Sequence, residues 1–310
     1  MHELSDLLPH GAARRDAVTT ASSTSSVSRW LDAGDLLLAH PGVLVRSGVQ
    51  GEWSVRAHAA SLWARAPLSH TSALVHWGLL PIAPGPVHVT VTADRFPRGA
   101  PAVITHRTTR PMTVVEHRDL AVLPVPRSLV DTWSWAHTPR RNPRAAAEVP
   151  LARQAVIEGV RDHGVTVAGL RAESAAHRIH AGRVELGTLL DLVEGGCRSE
   201  LEVWGLTRVL RIPGLPPPVQ QHRVRLLDGR TVHLDAAWLE ARVAVEMDGH
   251  RYHSSRAARG RDMRRDTGLA ALGWVVLRFS HQRLTQDPAG CRREIEAVVQ
   301  RRVAERWVQL

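Results

Sequence analysis

Apolar and polar positions change period several times along this chain, and each change predicts an element. The first fifty residues read as short helices over Leu4 to Leu8 and Ala12 to Thr20. A third helix runs through Val27, Trp30 and Leu31, capped from the Ser/Thr run Thr19 to Ser26 and ended by Gly34. Two short β runs within Leu36 to Val45 meet at a Pro41-Gly42 turn. Three short helices and a β-hairpin form the layout of a winged helix-turn-helix, and equally of a generic helical subdomain. Residues 58–80 read as helical, with an apolar face on Ala60, Leu62, Trp63, Leu74, Val75 and Trp77. Strict alternation then predicts strands over Pro86 to Thr92 and Ala102 to Arg107, with a further β run over Thr113 to Glu116. Helices follow over 124–137 and, three in number, over 150–193. The stretch 138–148, rich in Pro and Arg, reads as an exposed linker or loop.

The last third has the densest pattern. Ser199 and Glu202 have the spacing of a capping box, opening a helix that Pro213-Gly214 stops. Strands over His222 to Leu227 and Arg230 to Trp238 flank Asp228-Gly229, which suits a type I′ hairpin turn. A third strand runs Arg242 to Asp248. An Arg-rich helix over Ser255 to Leu272, an apolar strand Trp274 to Phe279 and a helix from Pro288 to Arg302 complete the chain. The order α-β-β-β-α-β-α predicts an α/β core on a partly parallel sheet.

Three acids stand out within it. Residues i and i+2 of a strand share a face, so Glu246 and Asp248 project together. A short antiparallel connection through Leu239-Glu240-Ala241 brings Asp235 beside them. Three converging carboxylates repel one another unless a cation neutralises them, and hard oxygen donors suit Mg²⁺. Such a site activates water and stabilises charge on a phosphate. The plainer reading is that Asp235 and Asp248 are solvated strand-end acids. Glu246, alternating with Val243 and Val245, favours the functional one, because strands seldom place acids at interior positions.

Charge sharpens this picture. The formal net charge is +10, which favours a polyanionic partner. All 40 basic residues are Arg, however, as GC-rich coding would also produce, so clustering has to carry the argument. Arg251, Arg256, Arg259, Arg261, Arg264 and Arg265 follow the carboxylates directly, with Asp262 among them. That run suits a phosphate backbone, or is a solvated face in which Asp262 and Arg265 pair. Arg278, in an apolar strand, is expected to pair with a buried acid. No apolar stretch is long enough to cross a membrane, no secretory signal is visible, and Cys197 and Cys291 are expected to be reduced. These features predict a cytoplasmic protein.

Taken together, Ser199-x-x-Glu202, Leu215-Pro216, Asp235-x-x-Trp238, Val245-Glu246-x-Asp248-Gly249-x-x-x-His253, Arg261-Asp262-x-x-Arg265-Asp266 and Leu272-Gly273-Trp274-x-Val276-Leu277-Arg278-Phe279 resemble the family known as domain of unknown function 559. That family is similar to the very-short-patch-repair (Vsr) endonucleases of the PD-(D/E)XK superfamily. The resemblance, over about residues 197–303, implies Asp235 as the metal-binding acid, Glu246 and Asp248 in the E-x-K slots, and Glu202 as an accessory acid. Asp248 replaces the usual lysine, and the chain contains no Lys. The Vsr-like branch also lacks that lysine and has histidine near its metal, which implies His253 or His250 as acid or base.

Residues 15–135 resemble, more weakly, the AbiEi-type regulators that act as antitoxins. The resemblance rests on Gly42-Val43-Leu44-Val45, Ser72-Ala73-Leu74 with Gly78-Leu79, Val87-His88-Val89-Thr90-Val91, and Pro126-Arg127-Ser128-Leu129-Val130-Asp131. It implies a DNA-binding winged helix with Ser25, Ser28 and Arg29 near the recognition helix. Asp131 is expected to pair within the core.

The expected whole is an α/β multidomain protein. A winged helix-turn-helix occupies 1–50, an AbiEi-like α+β middle domain 51–137, a helical connector 138–196 and a PD-(D/E)XK nuclease core 197–310. The expected activity is Mg²⁺- or Mn²⁺-dependent phosphodiester hydrolysis by a Vsr-like endonuclease on duplex, mismatched or promoter DNA, with RNA as a third option. The expected catalytic residues are Asp235, Glu246, Asp248, His253 and Glu202. The expected metal ligands are Asp235, Glu246 and Asp248, and the DNA contacts are Arg251, Arg256, Arg259, Arg261, Arg264, Ser25, Ser28 and Arg29. The alternative is a non-catalytic transcriptional regulator or antitoxin of a toxin–antitoxin system, with a degenerate nuclease fold.

Overall fold

A computed structural model describes residues 4–307 apart from 83, 84, 101, 178, 198, 200, 201, 204, 206, 207 and 249–255; for 248, 256–261, 281 and 306–307 it describes the backbone alone. The chain divides into two units, residues 1–183 and 184–310. It is a mixed α/β protein with several sheets.

In the first unit, α1 (Leu4–Leu7) and a 3₁₀ turn precede β1 (Ala12–Arg14), α2 (Arg15–Ala21), α3 (Thr24–Asp32), β2 (Leu36–His40) and β3 (Val43–Arg46). The helix expected from Ala12 begins only at Arg15. Ala12 and Ala13 are buried and pair with Val45 and Leu44 of β3, so sheet pairing overrides alanine's helical preference. The three strands lie in the order β1-β3-β2, all antiparallel. Ser23 caps α3 by accepting from the Ser26 amide at 3.0 Å, and Val18, Val27, Leu36 and Leu44 form the core beneath.

The helical stretch expected over 58–80 is two helices, α4 (Trp53–Ala64) and α5 (His70–His76). Arg65 turns left-handed (φ 48°) and Pro67 has no amide to continue the ladder. Leu68, fully buried, then bridges two sheets: β4 (Val87–Thr92) with β5 (Val103–Thr108), and β6 (Val115–His117) with β7 (Leu120–Val122). β4 and β5 are parallel. Val87, Val89 and Val91 face a core of small side chains, Ala57, Ala60, Ala64 and Ala73, that lets the helices approach closely. His88 and Thr90 therefore point to the opposite face.

The unit closes with α6 (Val125–Ala136), α7 (Ala145–Asp162) and α8 (Val167–Ala176), and α9 (Arg183–Glu194) starts at its end. The run 138–148 is an exposed loop as far as Arg144, where α7 takes over from Ala145, and one residue of that loop, Asn142, is buried. Its amide donates to the Trp135 carbonyl (3.2 Å) and Glu148 (2.8 Å), satisfying groups the turn would otherwise strand. Within α6, Arg127 pairs with Asp131 at 2.6 Å, as expected of an acid serving the core. Burial raises the Asp131 carboxyl despite that neighbour.

The second unit holds one four-stranded sheet, β11-β10-β9-β8, with β8 (Val219–Arg225), β9 (Thr231–Trp238), β10 (Val243–Asp248) and β11 (Val275–Ser280). β8, β9 and β10 are antiparallel, and β10 and β11 parallel, as the element order predicts. α10 (Arg256–Ala271) forms the crossover between those last two, and α11 (His281–Gln286) and α12 (Pro288–Trp307) follow. Leu269 of α10 packs on Leu234, Ala237 and Ala244. The β8–β9 turn is not the two-residue type I′ expected. The Leu226 amide bonds to the Arg230 carbonyl and the Gly229 amide to Leu226, enclosing three residues that end in left-handed Gly229 (φ 83°).

Gly182 offers a direct check on packing in the first unit. Its φ is +71°, its carbonyl accepts from Trp133 Nε1 at 2.7 Å, and a Cβ there would lie 2.5 Å from His137 Cγ. Gly182→Ala is expected to destabilise the protein by about 2–3 kcal/mol, read as a lower urea midpoint with unchanged slope.

Candidate active site in the second unit

β9 and β10 pair from Trp238↔Val243 to Ala236↔Val245, and the ladder ends there. One position further stand Asp235 and Glu246. Asp235 replaces the missing ladder bond with its own carboxylate, whose Oδ2 accepts from the Met247 amide at 3.0 Å. Its Oδ1 accepts from Gln221 Nε2 at 3.3 Å, and the same nitrogen donates to Glu202 Oε2 at 3.2 Å. Gln221 falls opposite Asp235 in the β8–β9 register, in a left-handed conformation (φ 46°) that departs from strand geometry. One neutral amide thus ties two acids together.

Glu202 is held from below by Ser199. The serine hydroxyl accepts from the Glu202 amide (3.1 Å) and donates to Glu202 Oε1 (2.9 Å). The expected spacing is present, but the Glu202 carboxylate meets the hydroxyl instead of the backbone amide of a reciprocal box.

Glu246 is buried within β10, paired in register with Arg278 of β11. Its Oε2 accepts from Arg265 Nη1 (2.6 Å) and Arg278 Nε (3.1 Å). Arg265 Nη2 also forms an ion pair with Oε1 and donates to the His233 carbonyl at 2.7 Å. The contact to Oε1 lacks hydrogen-bond alignment, so that buried oxygen keeps its lone pairs without a donor. Arg278 grips Asp266 through both terminal nitrogens, and that pairing, first, raises its pKa. The expected partner of Arg278 is therefore found, whereas Arg265 pairs with Glu246 and not with Asp262. Its reach across the sheet gives a buried acid a cation, which an exposed neighbour on the same helix does not need.

The electrostatics of Asp235 follow from this arrangement. Burial, first, and then the charges of Glu202 and Glu246 push its carboxyl above the ordinary 3.8, while the Met247 amide and Gln221 pull the other way. Burial, first, and then the charges of Glu202 and Asp235 push the Cys197 thiol up to about 12, so that buried cysteine is an inert thiol.

Of the residues expected at the site, Asp235, Glu202 and Glu246 come together. Asp248 ends β10 opposite Ser280, and its side chain lies outside the described residues, as do His250, Arg251 and His253 altogether. Arg256, Arg259 and Arg261 lie on α10 with undescribed side chains. Arg264 is exposed and borders a groove at the β8–β9 turn with Leu226, Asp228 and Met263. In the first unit, Ser25, Ser28 and Arg29 are exposed on α3 while Val27 faces inward. Gln221 and the role of Arg265 went unpredicted; the signal available was a Gln-Gln pair in a strand otherwise set to alternate.

A family model described as REase_MTES_1575, of restriction-endonuclease-like type, matches residues 224–299. The match spans Asp235, Glu246, Arg265 and Arg278 and supports a nuclease-type domain in the second unit. Two curated relatives from Mycobacterium tuberculosis are similar: uncharacterized protein MT2308 of strain CDC 1551 / Oshkosh and uncharacterized protein Rv2248 of strain ATCC 25618 / H37Rv. Each is 28% identical over 149 residues, 48% of this chain and 52% of the relative. The chain thus spans about half the length of the curated relatives it matches. No helix among the described residues is long and apolar enough to cross a membrane.

The raised Asp235 carboxyl has a definite linkage sign. An acid whose pKa is higher when folded supports folding below its unfolded value and withdraws that support as pH rises through the folded one. Asp235→Asn is therefore expected to raise the stability of the protein near pH 7, with the gain shrinking towards pH 4. Thermal melts of both proteins across that range check it, and equal melting temperatures at pH 7 would contradict it.

Proposed function

We propose that the second unit is a metal-dependent endonuclease acting on DNA, with Asp235 as its principal metal-binding acid. The observation that supports this most is the grouping of Asp235, Glu202 and Glu246 at the end of a sheet ladder inside a restriction-endonuclease-like match. The donor set fits a hard divalent cation, Mg²⁺ or Mn²⁺. Asp235 carries negative charge that burial and the two acids Glu202 and Glu246 make unfavourable, which a bound cation would relieve. Asp235 and Glu246 would hold the ion, with Glu202 alongside and Asp248 as a further proposed ligand. The chemistry such an ion supplies is water activation and screening of charge on the phosphate.

The chain's own residues supply position. The Met247 amide and Gln221 fix the Asp235 carboxylate, and Arg265 and Arg278 fix that of Glu246. The proposed contacts to the phosphate backbone are Arg251, Arg256, Arg259, Arg261 and Arg264 of the basic run, and His253 is the proposed acid or base. The closer likeness we propose is to Vsr-type repair nucleases, which brings mismatched duplexes into the substrate range.

For residues 1–50 we propose a winged helix-turn-helix of AbiEi type. Support comes from the helix pair α2–α3 followed by the β2–β3 hairpin, and from Ser25, Ser28 and Arg29 exposed along α3. A second reading, a regulator or antitoxin whose nuclease fold only binds DNA, is favoured by one observation. Glu246 is already neutralised by two arginines, and Asp248 stands where a lysine would help activate water.

Plasmid nicking with Mg²⁺ or Mn²⁺ decides between them. Cleavage of duplex, mismatched or single-stranded DNA should fall at least about 100-fold in Asp235→Ala. Absence of cleavage with either metal, with DNA binding intact in both proteins, would establish the regulator instead. Separately, Arg29→Ala is expected to weaken duplex binding across sequences and reduce the salt slope by about one, measured by titration at several ionic strengths. An unchanged slope would remove Arg29 from the interface.

A further inference from the structure

The first unit gathers three histidines on one polar face, His70 and His88 buried and His106 partly exposed. His88 lies on β4 and His106 on β5, both on the side opposite the valine core, and His70 opens α5 above them. One ring nitrogen of each lies within 4.8 Å of those of the other two; among the described residues no other group of three His, Cys, Asp or Glu side chains does so. His88 Nδ1 and His106 Nε2 are 2.9 Å apart. From these residues we propose a three-histidine site for a transition-metal ion of the zinc class, with an open coordination position towards an adjoining cavity.

The surroundings are built to hold these rings. The Ser69 amide bonds to the His88 carbonyl (3.0 Å), and the His88 amide bonds to Ser72 Oγ (2.8 Å), locking α5 onto β4. His70 Nδ1 meets Ser69 Oγ at 3.0 Å, the outer contact that orients a metal-bound imidazole. His70 is itself left-handed (φ 50°), a conformation that non-glycine residues adopt at a cost and that concentrates at functional sites. Trp135 of α6 stands edge-on to all three rings, which excludes water from one side.

Two observations point to a ligand rather than to packing. Thr90, two residues from His88 on the same face and paired in register with His106, has a buried hydroxyl with no partner. A cavity of about 460 Å³ opens beside it, bordered by His70, His106, Arg107, Arg127 and Arg141. Two nitrogens bound to tetrahedral zinc stand about 3.3 Å apart, close to the 2.9 Å between His88 and His106. The His70 and His106 rings are stacked, with centroids 3.5 Å apart and planes 15° apart, so ligation swings His70 out of that stack. One of the two facing nitrogens of His88 and His106 carries the proton of their hydrogen bond and the other accepts it. The proton shared by His88 and His106 moves to a ring's other nitrogen, and none need leave. Neutral imidazoles select zinc, cobalt or nickel over magnesium.

The test uses the full chain, freed of metal by chelation and carrying Asp235→Asn so that the carboxylate site of the second unit does not contribute. Calorimetric titration with Zn²⁺ in excess Mg²⁺ should give one equivalent bound with a dissociation constant of about 1 μM or below. Co²⁺ should give intense visible bands of four- or five-coordinate ion. His106→Gln should abolish both while leaving the metal-free melting temperature near that of its parent. Zinc binding of equal strength in His106→Gln, or a Co²⁺ spectrum no different from that of the hydrated ion, would overturn the site. The cobalt spectrum needs no histidine variant, so it decides the matter even if His106→Gln fails to fold.

Discussion

The second unit is organised around a carboxylate removed from water. Glu246 sits inside a strand whose neighbours Val243, Val245 and Met247 are buried, where an unpaired charge is not tolerated. Two guanidiniums answer it, one from the crossover helix and one from the adjoining parallel strand. Those contacts also fix structure: Arg265 ties α10 to the sheet through Glu246 and the His233 carbonyl, and Arg278 links β11 back to α10 through Asp266. Removing one partner of such a set costs about 3–5 kcal/mol, because the remaining charge is left buried. The acid that makes the site also sets the register of the layers around it.

Asp235 meets the same constraint differently. Among the described residues its partners are an amide N–H and a glutamine, and no cation. Two hydrogen bonds relieve desolvation in part, and the neighbouring acids add to it, so the carboxyl is pushed up. The first unit shows both answers again. Arg127 neutralises Asp131, whereas His70, His88 and His106 avoid charge altogether by staying neutral. Asp235 is only partly compensated by its two donors and the buried Thr90 hydroxyl has none, and each of the two proposed sites is argued from that shortfall.

Much of the order of elements was legible because period and punctuation are local. Alternation around Val243 and Val245 and the Gly273 stop were enough to find β10 and the end of α10. The failures share a cause. Ala12 and Ala13 became a strand through pairing with β3, which lies about thirty residues on in sequence, and within the exposed loop 138–144 Asn142 is buried through hydrogen bonds that composition does not reveal. At the site, strand parity brought Asp235 and Glu246 together on paper and in the fold. The partners were not legible: Arg265 reaches Glu246 only because α10 crosses over the sheet, and three histidines from residues 70, 88 and 106 meet only once two strands run parallel beneath α5.

Arg265 also bears on how the carboxylate site works. A lysine in the motif serves as a cation beside the acids and as a group able to lose a proton. Arginine supplies only the first, since it stays protonated at any physiological pH. With Arg265 on Glu246, the electrostatic half of the lysine's role is filled from a different element, and the proton-transfer half is not. Any proton moved during the proposed hydrolysis must then go through another group, the place proposed for His253. Burial and the neighbouring acids raise the Asp235 carboxyl when no cation is bound. Binding a cation would reverse that shift, so the same residue cannot hold a metal tightly and act as the acid at once.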